Sequence, residues 1–529
     1  MGVKYKPVAA APTTPSPSPA LRRFLYFTAF MTGAAIMIVE ILGAKMLAPY
    51  VGTSHFVWTA QIAVTLVALA CGYFVGGWLV DRSQSLGRLY GAILLAAIYL
   101  CFSVLAVRPV AYWCLDFKLA LGSLLASAFL FFVPLSLLAM VGPFFVRVLT
   151  VSVTGVGGNV GRLTALGTIG SFIGTILIGY VLIPFFPNSY TMFFTALLLM
   201  LVAAGYFFIW GKSSDQKIGT ALGVGAGLIL GAMGVANNLH EHPAGLVERF
   251  RGNSNFGLLQ VMDTESGSRR YYLNDFLTQN LYDPAQKKSV ALFTYMLHGL
   301  SRAYTKKIDS ALCIGMGMGI VPADLVREGV KVDLVEINPA VVAVAEKYFD
   351  FNPEGCRLVI GDGRQFVNRA TNKYDAILLD AFLGDSSPSH LMTREAFDSM
   401  RQLLRPGGVL VINSFVDFRT GHDFFGASLA KTLQSVFKSV RIHAAARDDL
   451  ANVFFVASDQ PELKLITPFD MTRVHGDTRE RAEYTLETII EPDARHGRIL
   501  TDDFNPVEFH DAPNREATRR RLAEQMRPL

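Results

Sequence analysis

The sequence predicts an α-helical membrane bundle followed by an α/β domain with a Rossmann-like, doubly wound sheet. Three observations carry that prediction. Of the 529 residues, 51% are hydrophobic and only 17% charged, and mean hydropathy is +0.36. This excludes a fully water-exposed globule, a disordered chain and a fibrous protein. Nearly all of the apolar excess precedes residue 240. Beyond about residue 246, short strand-like runs alternate with helical ones, the pattern of a parallel sheet with helices on its faces.

The elements follow in chain order. Residues 1–23 are expected to form a disordered leader, because the Pro/Ala/Ser/Thr-rich stretch 7–19 cannot bury enough apolar surface to fold. About 20 helical residues cross a bilayer core. Within 24–238 the candidate spans are 24–48, 57–80, 90–107, 119–142, 163–184, 190–210 and 218–236. Gly72, Gly76 and Gly77, and again Gly167, Gly170 and Gly174, recur at spacings that let helix backbones approach closely. Glu40 lies well inside the first span. An acid at that depth is either a functional group or a packing residue paired with Lys45, Arg147 or Arg162.

Loop charges set an orientation. With all seven segments crossing and the N-terminus inside, Lys4, Lys6, Arg22, Arg23, Arg82, Arg88, Arg147, Arg162, Lys212 and Lys217 share the inner side, against Arg108 and Lys118 outside. That arrangement sends the C-terminal domain outward, away from a cytoplasmic cofactor. The glycine-rich segment 218–236 is the weakest span, and discounting it keeps the domain in the cytoplasm. The expectation is an integral protein of a bacterial inner membrane, with the lipid bilayer as its partner.

A net charge of +5 with no dense basic run gives no reason to expect a nucleic acid partner. Cys71, Cys101, Cys114, Cys313 and Cys356 contain no CxxC pair, so neither a disulfide framework nor a metal site is expected.

In the second half, residues 246–285 read as a small β region. Its core is a hairpin of 256–261 and 270–273 around a turn-like 263–268 stretch. Residues 286–510 form the α/β domain, opening with a helix around 286–304. Strands are expected at 311–314, 332–335, 358–360, 376–379 and 409–412, with helices at 322–328, 339–348, 394–403 and 424–437. An antiparallel edge pair is expected at 440–444 and 453–457. Residues 511–529 are left as a C-terminal tail.

Ligands of such sheets bind at the carboxyl ends of the strands, and there the chemistry-bearing residues gather. The first strand is followed by Gly315-Met316-Gly317-Met318-Gly319, where glycine permits a sharp turn and close approach of a ligand to the backbone. Glu336 ends the second strand at an offset suited to accepting ribose hydroxyl hydrogen bonds. Asp362, with Gly363, follows the third strand and can meet an adenine amine. Asp380 ends the fourth. A dinucleotide would leave the later acids without a task. An adenosyl sulfonium compound, with ribose, adenine and tail, engages every strand end. S-adenosylmethionine or its decarboxylated form is therefore the expected co-substrate.

The segments 312–320 (LCIGMGMGI), 332–340 (VDLVEINPA), 347–349, 358–366 (LVIGDGRQF), 374–382 (YDAILLDAF), 390–393, 404–408 and 500–508 (LTDDFNPVE), with Pro388, resemble the polyamine aminopropyltransferase (spermidine synthase) family in its version fused to a multi-span membrane domain. The hairpin with 272–279 is similar to that family's small N-terminal β region. The resemblance implies a class I methyltransferase-type sheet, Glu336 on the ribose, Asp362 with Gly363 on the adenine, and Gln279 with the Gly315, Gly317 and Gly319 turn around the co-substrate. It implies Asp380 as the catalytic acid, and a dimer. Asp385 is a second catalytic candidate, and Tyr295 and His298 are candidates for an amine channel. The implied reaction moves an aminopropyl group from decarboxylated S-adenosylmethionine to putrescine or spermidine and releases methylthioadenosine.

Two departures keep alternatives open. Met318 stands where the family usually carries an aspartate that attracts the terminal ammonium of the decarboxylated compound. The family's DSSD stretch reads Asp380-Ala381-Phe382-Leu383, with an acid returning only at Asp385. Intact S-adenosylmethionine, used by a methyltransferase or a cofactor-cleaving lyase, is one alternative. A nucleoside-sensing membrane transporter is the other.

Overall fold

The computed structural model describes residues 17–52, 54–150, 156–211, 213–239, 245–382, 388–447, 449–492 and 495–526. The chain divides into two compact units. One comprises Met1–Leu47, Phe56–Cys114 and Ala120–Glu241; the other comprises His242–Leu529 with the short segments Ala48–His55 and Leu115–Leu119.

Among the described residues, the first unit holds seven helices long and apolar enough to cross a membrane. They are α1 (Pro19–Val51), α2 (His55–Arg82), α3 (Leu86–Cys114), α4 (Leu119–Leu149), α5 (Val156–Phe185), α6 (Asn188–Trp210) and α7 (Ser214–Leu239). Two corrections follow. The leader stops short of residue 23, since 19–23 already belong to α1, where Pro19 sits at a helix start that needs no N–H donor. The segment 218–236 is a continuous helix despite its glycines, so nothing in its backbone supports discounting it. In α4 and α5 the ladder widens into a π-type turn at Ala128–Phe132 and at Ile178–Leu182. Each precedes a proline, Pro134 or Pro184, which has no N–H to continue the regular pattern.

The small residues act as the spacing predicts. A Cβ on Gly170 would lie 2.0 Å from the Phe30 carbonyl oxygen, and one on Gly174 would lie 2.5 Å from that of Ala34, so α5 presses its backbone onto α1. Gly72 meets Ser136 of α4 in the same way, at 2.2 Å, whereas Gly77 faces open space. Glu40 is half-buried in α1.

The second unit opens with an antiparallel five-stranded sheet, β1 (Leu246–Ser254), β2 (Gly257–Thr264), β3 (Arg270–Asn274), β4 (Leu277–Asp283) and β5 (Lys288–Ser289), in sequential order. The predicted hairpin is β2–β3, with Val261 opposite Tyr272. The strands around it were not expected. The β3–β4 turn hides from pattern reading because Asp275 and Phe276, rather than glycine, take positive φ. Asp275 compensates by accepting the Leu258 N–H at 2.9 Å.

Helix α8 (Leu292–Ala303) leads into a seven-stranded sheet: β6 (Ser310–Ile314), β7 (Lys331–Glu336), β8 (Cys356–Ile360), β9 (Tyr374–Leu379), β10 (Leu404–Val416), β11 (Ser439–Ala444) and β12 (Ala451–Ser458). Its order is β11-β12-β10-β9-β6-β7-β8. β6 to β10 are parallel, and β12 is antiparallel to both β10 and β11. This is the doubly wound arrangement expected. Side chains alternate between two cores: Cys313, Leu334, Leu378 and Val411 face one, and Ile314, Val335, Leu379 and Ile412 the other. Burial on both faces explains why these strands read as continuous apolar runs.

The crossovers include α9 (Ile320–Arg327), α10 (Pro339–Tyr348), α11 (Gly363–Arg369), α12 (Arg394–Leu403) and α13 (Phe424–Gln434). Beyond them lie α14 (Gly476–Glu487), α15 (Val507–His510) and α16 (Ala512–Met526). The segment 511–529 is thus not a tail. Residues 512–526 form helix α16, and Asp511 just before it is buried together with Asn514 and Arg515.

Candidate active site

Strand order reverses between β6 and β9, the switch point at which ligands of such sheets bind. Here the two strand ends lie side by side, the Asp380 N–H donating to the Ile314 carbonyl at 2.9 Å. That closeness demands glycine at 315, because a Cβ there would lie 2.2 Å from the Asp380 carbonyl oxygen. Gly315 and Gly317 border the resulting cavity. Gly319 does not. It caps α9 at positive φ and backs onto the Phe351 ring, shaping the loop from behind.

Glu336, 8% exposed, is held by the backbone. One carboxylate oxygen accepts the Met316 N–H at 3.0 Å, the other the Asn338 N–H at 2.8 Å. Burial pushes its carboxyl upward against these bonds. Each oxygen keeps a further lone pair for a ligand hydroxyl. Asp362 caps α11, accepting the Gln365 N–H at 2.8 Å, and its other oxygen lies 3.0 Å from His390 Nε2. Gly363 leaves no room for a side chain, its Cβ position being 2.5 Å from Ile314.

Asp380 receives one side-chain bond, from Asn413 Nδ2 at 2.8 Å, and Asn452 Nδ2 in turn donates to Asn413 Oδ1 at 3.1 Å. Burial pushes the Asp380 carboxyl up to about 6, opposed by the Asn413 bond and reinforced by the nearby Glu336 charge. A carboxyl poised there can both accept and return a proton near neutrality.

Gly315, Gly317, Glu336, Asp362, Gly363, Asp380 and Gln279 all border one cavity of about 450 Å³, a size suited to a small-molecule ligand. Tyr295 and His298 do not. The Tyr295 hydroxyl donates to the Ser289 carbonyl at 2.6 Å, and His298 Nε2 lies 3.0 Å from Glu328 Oε1. Both tie α8 to its neighbours. Met318 is 1% exposed and belongs to the core, so its side chain brings no charge to the cavity. Asp385 lies outside the described residues.

Sequence reasoning missed Asn413, Asn452 and the 511–518 face. The first had a signal, a lone amide in the apolar VLVINSF run of a doubly buried strand. The last also had one: Asp511, Asn514, Arg515 and Thr518, at i, i+3, i+4 and i+7, share one helix face, and all four border the cavity.

A doubly wound sheet with acids and a glycine turn at its switch point is the arrangement in which α/β domains take ligands at their strand ends. Residues 291–452 match the model of the spermine/spermidine synthase domain, so the C-terminal region carries a domain of that family. A polyamine aminopropyltransferase of Vibrio vulnificus is 44% identical over 141 residues, covering 25% of this chain and 46% of that protein. An N-terminal histidine N-methyltransferase of Emericella nidulans is 32% identical over 220 residues, 37% of this chain and 38% of that one. Among solved structures, spermidine synthase from Thermotoga maritima is 20% identical, with coverage of 46% and 84% and a TM-score of 0.37. The chain spans less than half the length of these two curated relatives.

Proposed function

We propose that this chain is a membrane-integrated aminopropyltransferase, carrying an aminopropyl group from decarboxylated S-adenosylmethionine to a polyamine. The observation that carries this reading is the half-buried Asp380 at the switch point, held by Asn413 beside Glu336. The free lone pairs of Glu336 and the side-chain-free turn at Gly315 fit a nucleoside. The co-substrate supplies a carbon made electrophilic by sulfonium. Glu336 anchors the ribose, Asp362 and Gly363 border the adenine, and Gln279 closes the site from β4. Asp380 positions the acceptor amine and takes its proton. The nitrogen lone pair forms the new C–N bond while the C–S bond breaks, its electrons staying on sulfur, and methylthioadenosine leaves.

A second reading, alkyl transfer from intact S-adenosylmethionine, is favoured by Met318. No carboxylate stands at that loop position to repel the carboxylate of the intact compound. The histidine N-methyltransferase relative supports the same reading. The test is to incubate the full chain in detergent with each form of the co-substrate, with and without putrescine or spermidine, and identify products by mass spectrometry. Methylthioadenosine that appears only with amine and the decarboxylated form supports aminopropyl transfer. A methylated product, or cleavage without amine, supports the second reading. Binding without turnover of either form rejects both.

The helical unit is proposed to cross the bilayer. Support comes from the large apolar side chains exposed along it, Phe74, Tyr180, Phe185 and Leu222 among them, each at least 70% exposed. The α/β unit is assigned to the cytoplasm, where the co-substrate resides. With seven crossings this places the N-terminus outside, against the loop-charge bias. Reporter fusions at both ends decide the matter, and a cytoplasmic N-terminus with an external C-terminus rejects the assignment.

A further inference from the structure

A cavity that received only a polyamine and a decarboxylated sulfonium compound would meet cations alone, and a buried arginine in its wall would oppose both. Arg515 is such a residue. It is 5% exposed and borders the cavity from α16. Its Nε lies 3.3 Å from Asp511 Oδ2, the one hydrogen bond of its side chain among the described residues. The Asp511 carboxylate is itself fixed. Asn514 Nδ2 donates to Oδ1 at 3.0 Å, and the Asn514 amide is anchored on His422, its Oδ1 lying 3.1 Å from Nδ1 and its Nδ2 donating to the His422 carbonyl at 3.2 Å. A guanidinium offers five donors in a rigid fork. With Nε engaged, the two terminal nitrogens remain for an acceptor that the described residues do not provide. Arg481, exposed at the rim, adds a second positive charge.

A buried charge is stable only when its donors are satisfied, and the group matching paired guanidinium nitrogens is a carboxylate. Asp511 beside it matches an ammonium. Together the two side chains present the mirror of an α-amino acid end. We propose that Arg515 is a carboxylate-recognition residue, and that one of the two small molecules meeting in this cavity carries an α-amino acid group, its carboxylate on Arg515 and its ammonium on Asp511. The inference rests on the nucleoside site that both readings above share, and it favours a carboxylate-bearing co-substrate or acceptor over the pairing of a polyamine with the decarboxylated compound. The carboxylate has two sources, the methionine end of intact S-adenosylmethionine or the acceptor amine. Neither Arg515 nor Asp511 lies within the span matched by the family model, 291–452.

Calorimetry on the full chain in detergent tests this with five probes: methylthioadenosine, S-adenosylmethionine, its decarboxylated form, and, with methylthioadenosine present, ornithine and putrescine. In Arg515→Met, affinity for the carboxylate-bearing ligand is expected to fall about 10- to 100-fold, the worth of a hydrogen bond to a charged group. Its decarboxylated counterpart and methylthioadenosine should bind as before. Arg515→Lys keeps the charge without the fork and should recover part of the loss. That variant also carries the test should Arg515→Met fail to bind methylthioadenosine. A selective loss for S-adenosylmethionine assigns the carboxylate to the co-substrate, and one for ornithine assigns it to the acceptor. Equal losses within both pairs, or none, overturn the proposal. Failure of the unmodified chain to bind methylthioadenosine would instead overturn the nucleoside site itself.

Discussion

The two walls of the cavity hold their charges by different means. On the strand-end wall, Glu336 and Asp362 are fixed by backbone N–H groups, those of Met316, Asn338 and Gln365. On the helical wall, Asp511 is fixed by side chains, Arg515 and Asn514, with His422 behind them. Backbone donors come with the fold, so any sequence that builds this sheet aims its carboxylates the same way. A side-chain network depends on each member and can be rebuilt while the sheet stays intact. Under the proposed function, the strand wall is thus suited to what the alternative co-substrates share, the nucleoside. The helical wall is suited to what distinguishes one substrate from another. Asp380 stands between these regimes, its backbone locked to Ile314 while its carboxylate depends on Asn413.

The comparison can be broken most forcefully at Asp380. Asp380→Asn keeps the shape and removes the proton acceptor, so kcat should fall about 10²- to 10⁴-fold while the Kd for methylthioadenosine moves little. Activity near that of the unmodified chain would remove Asp380 from its role. The next effect belongs to Glu336. Glu336→Gln weakens the anchoring of the ribose, and nucleoside affinity should drop about 10-fold or more, as expected for a charged hydrogen-bond acceptor. Methylthioadenosine calorimetry measures it. A fall in kcat with unchanged nucleoside affinity would mean that Glu336 serves the chemistry and not the anchor.

The same division explains what could be read from the residues. The sheet was legible because strands buried on both faces spell apolar runs and the glycine turn follows the first, so all seven strands lie where they are expected, although β10 runs from Leu404 to Val416, well past the expected 409–412. Glu336, Asp362 and Asp380 were legible because strand ends are fixed by local pattern. Tyr295 and His298 misled because a polar residue on an amphipathic helix looks alike whether it faces a cavity or a neighbouring element; Ser289 and Glu328 claim them. The β3–β4 turn was hidden by positive φ at Asp275 and Phe276. The helical wall was hidden by sequence distance. Nothing local to residues 511–518 states that they return to strands 100 or more positions earlier, though their i, i+3, i+4, i+7 polar face marked a helix.

A smaller effect sharpens the position of Asp380 between the two walls. Its carboxyl, pushed up to about 6, must be ionised to take a proton, so kcat/KM should decline as pH falls through about 6 and not near 4. The Asn413 bond lowers that value by favouring the charged form. Asn413→Leu removes the donor while filling similar space, so the acid limb of the kcat/KM profile should move to higher pH, with less loss at pH 8 than at pH 6. A downward shift, or a loss equal at all pH, would detach Asn413 from the carboxylate and leave it a packing residue.

The smallest expected effect is also informative, because it asks whether α8 belongs to the acceptor side. Tyr295→Phe removes a hydroxyl bonded to the Ser289 carbonyl, and His298→Gln alters a contact with Glu328, a carboxylate that Arg302 and Arg473 also reach. Neither side chain borders the cavity. Both variants should lower thermal stability by the modest amount that one hydrogen bond contributes, about 0.5–1.5 kcal/mol, and leave the KM for the amine within about twofold. A KM raised tenfold with Tm unchanged would put these residues on the acceptor's route after all. The helical wall would then share substrate discrimination with α8 rather than hold it alone.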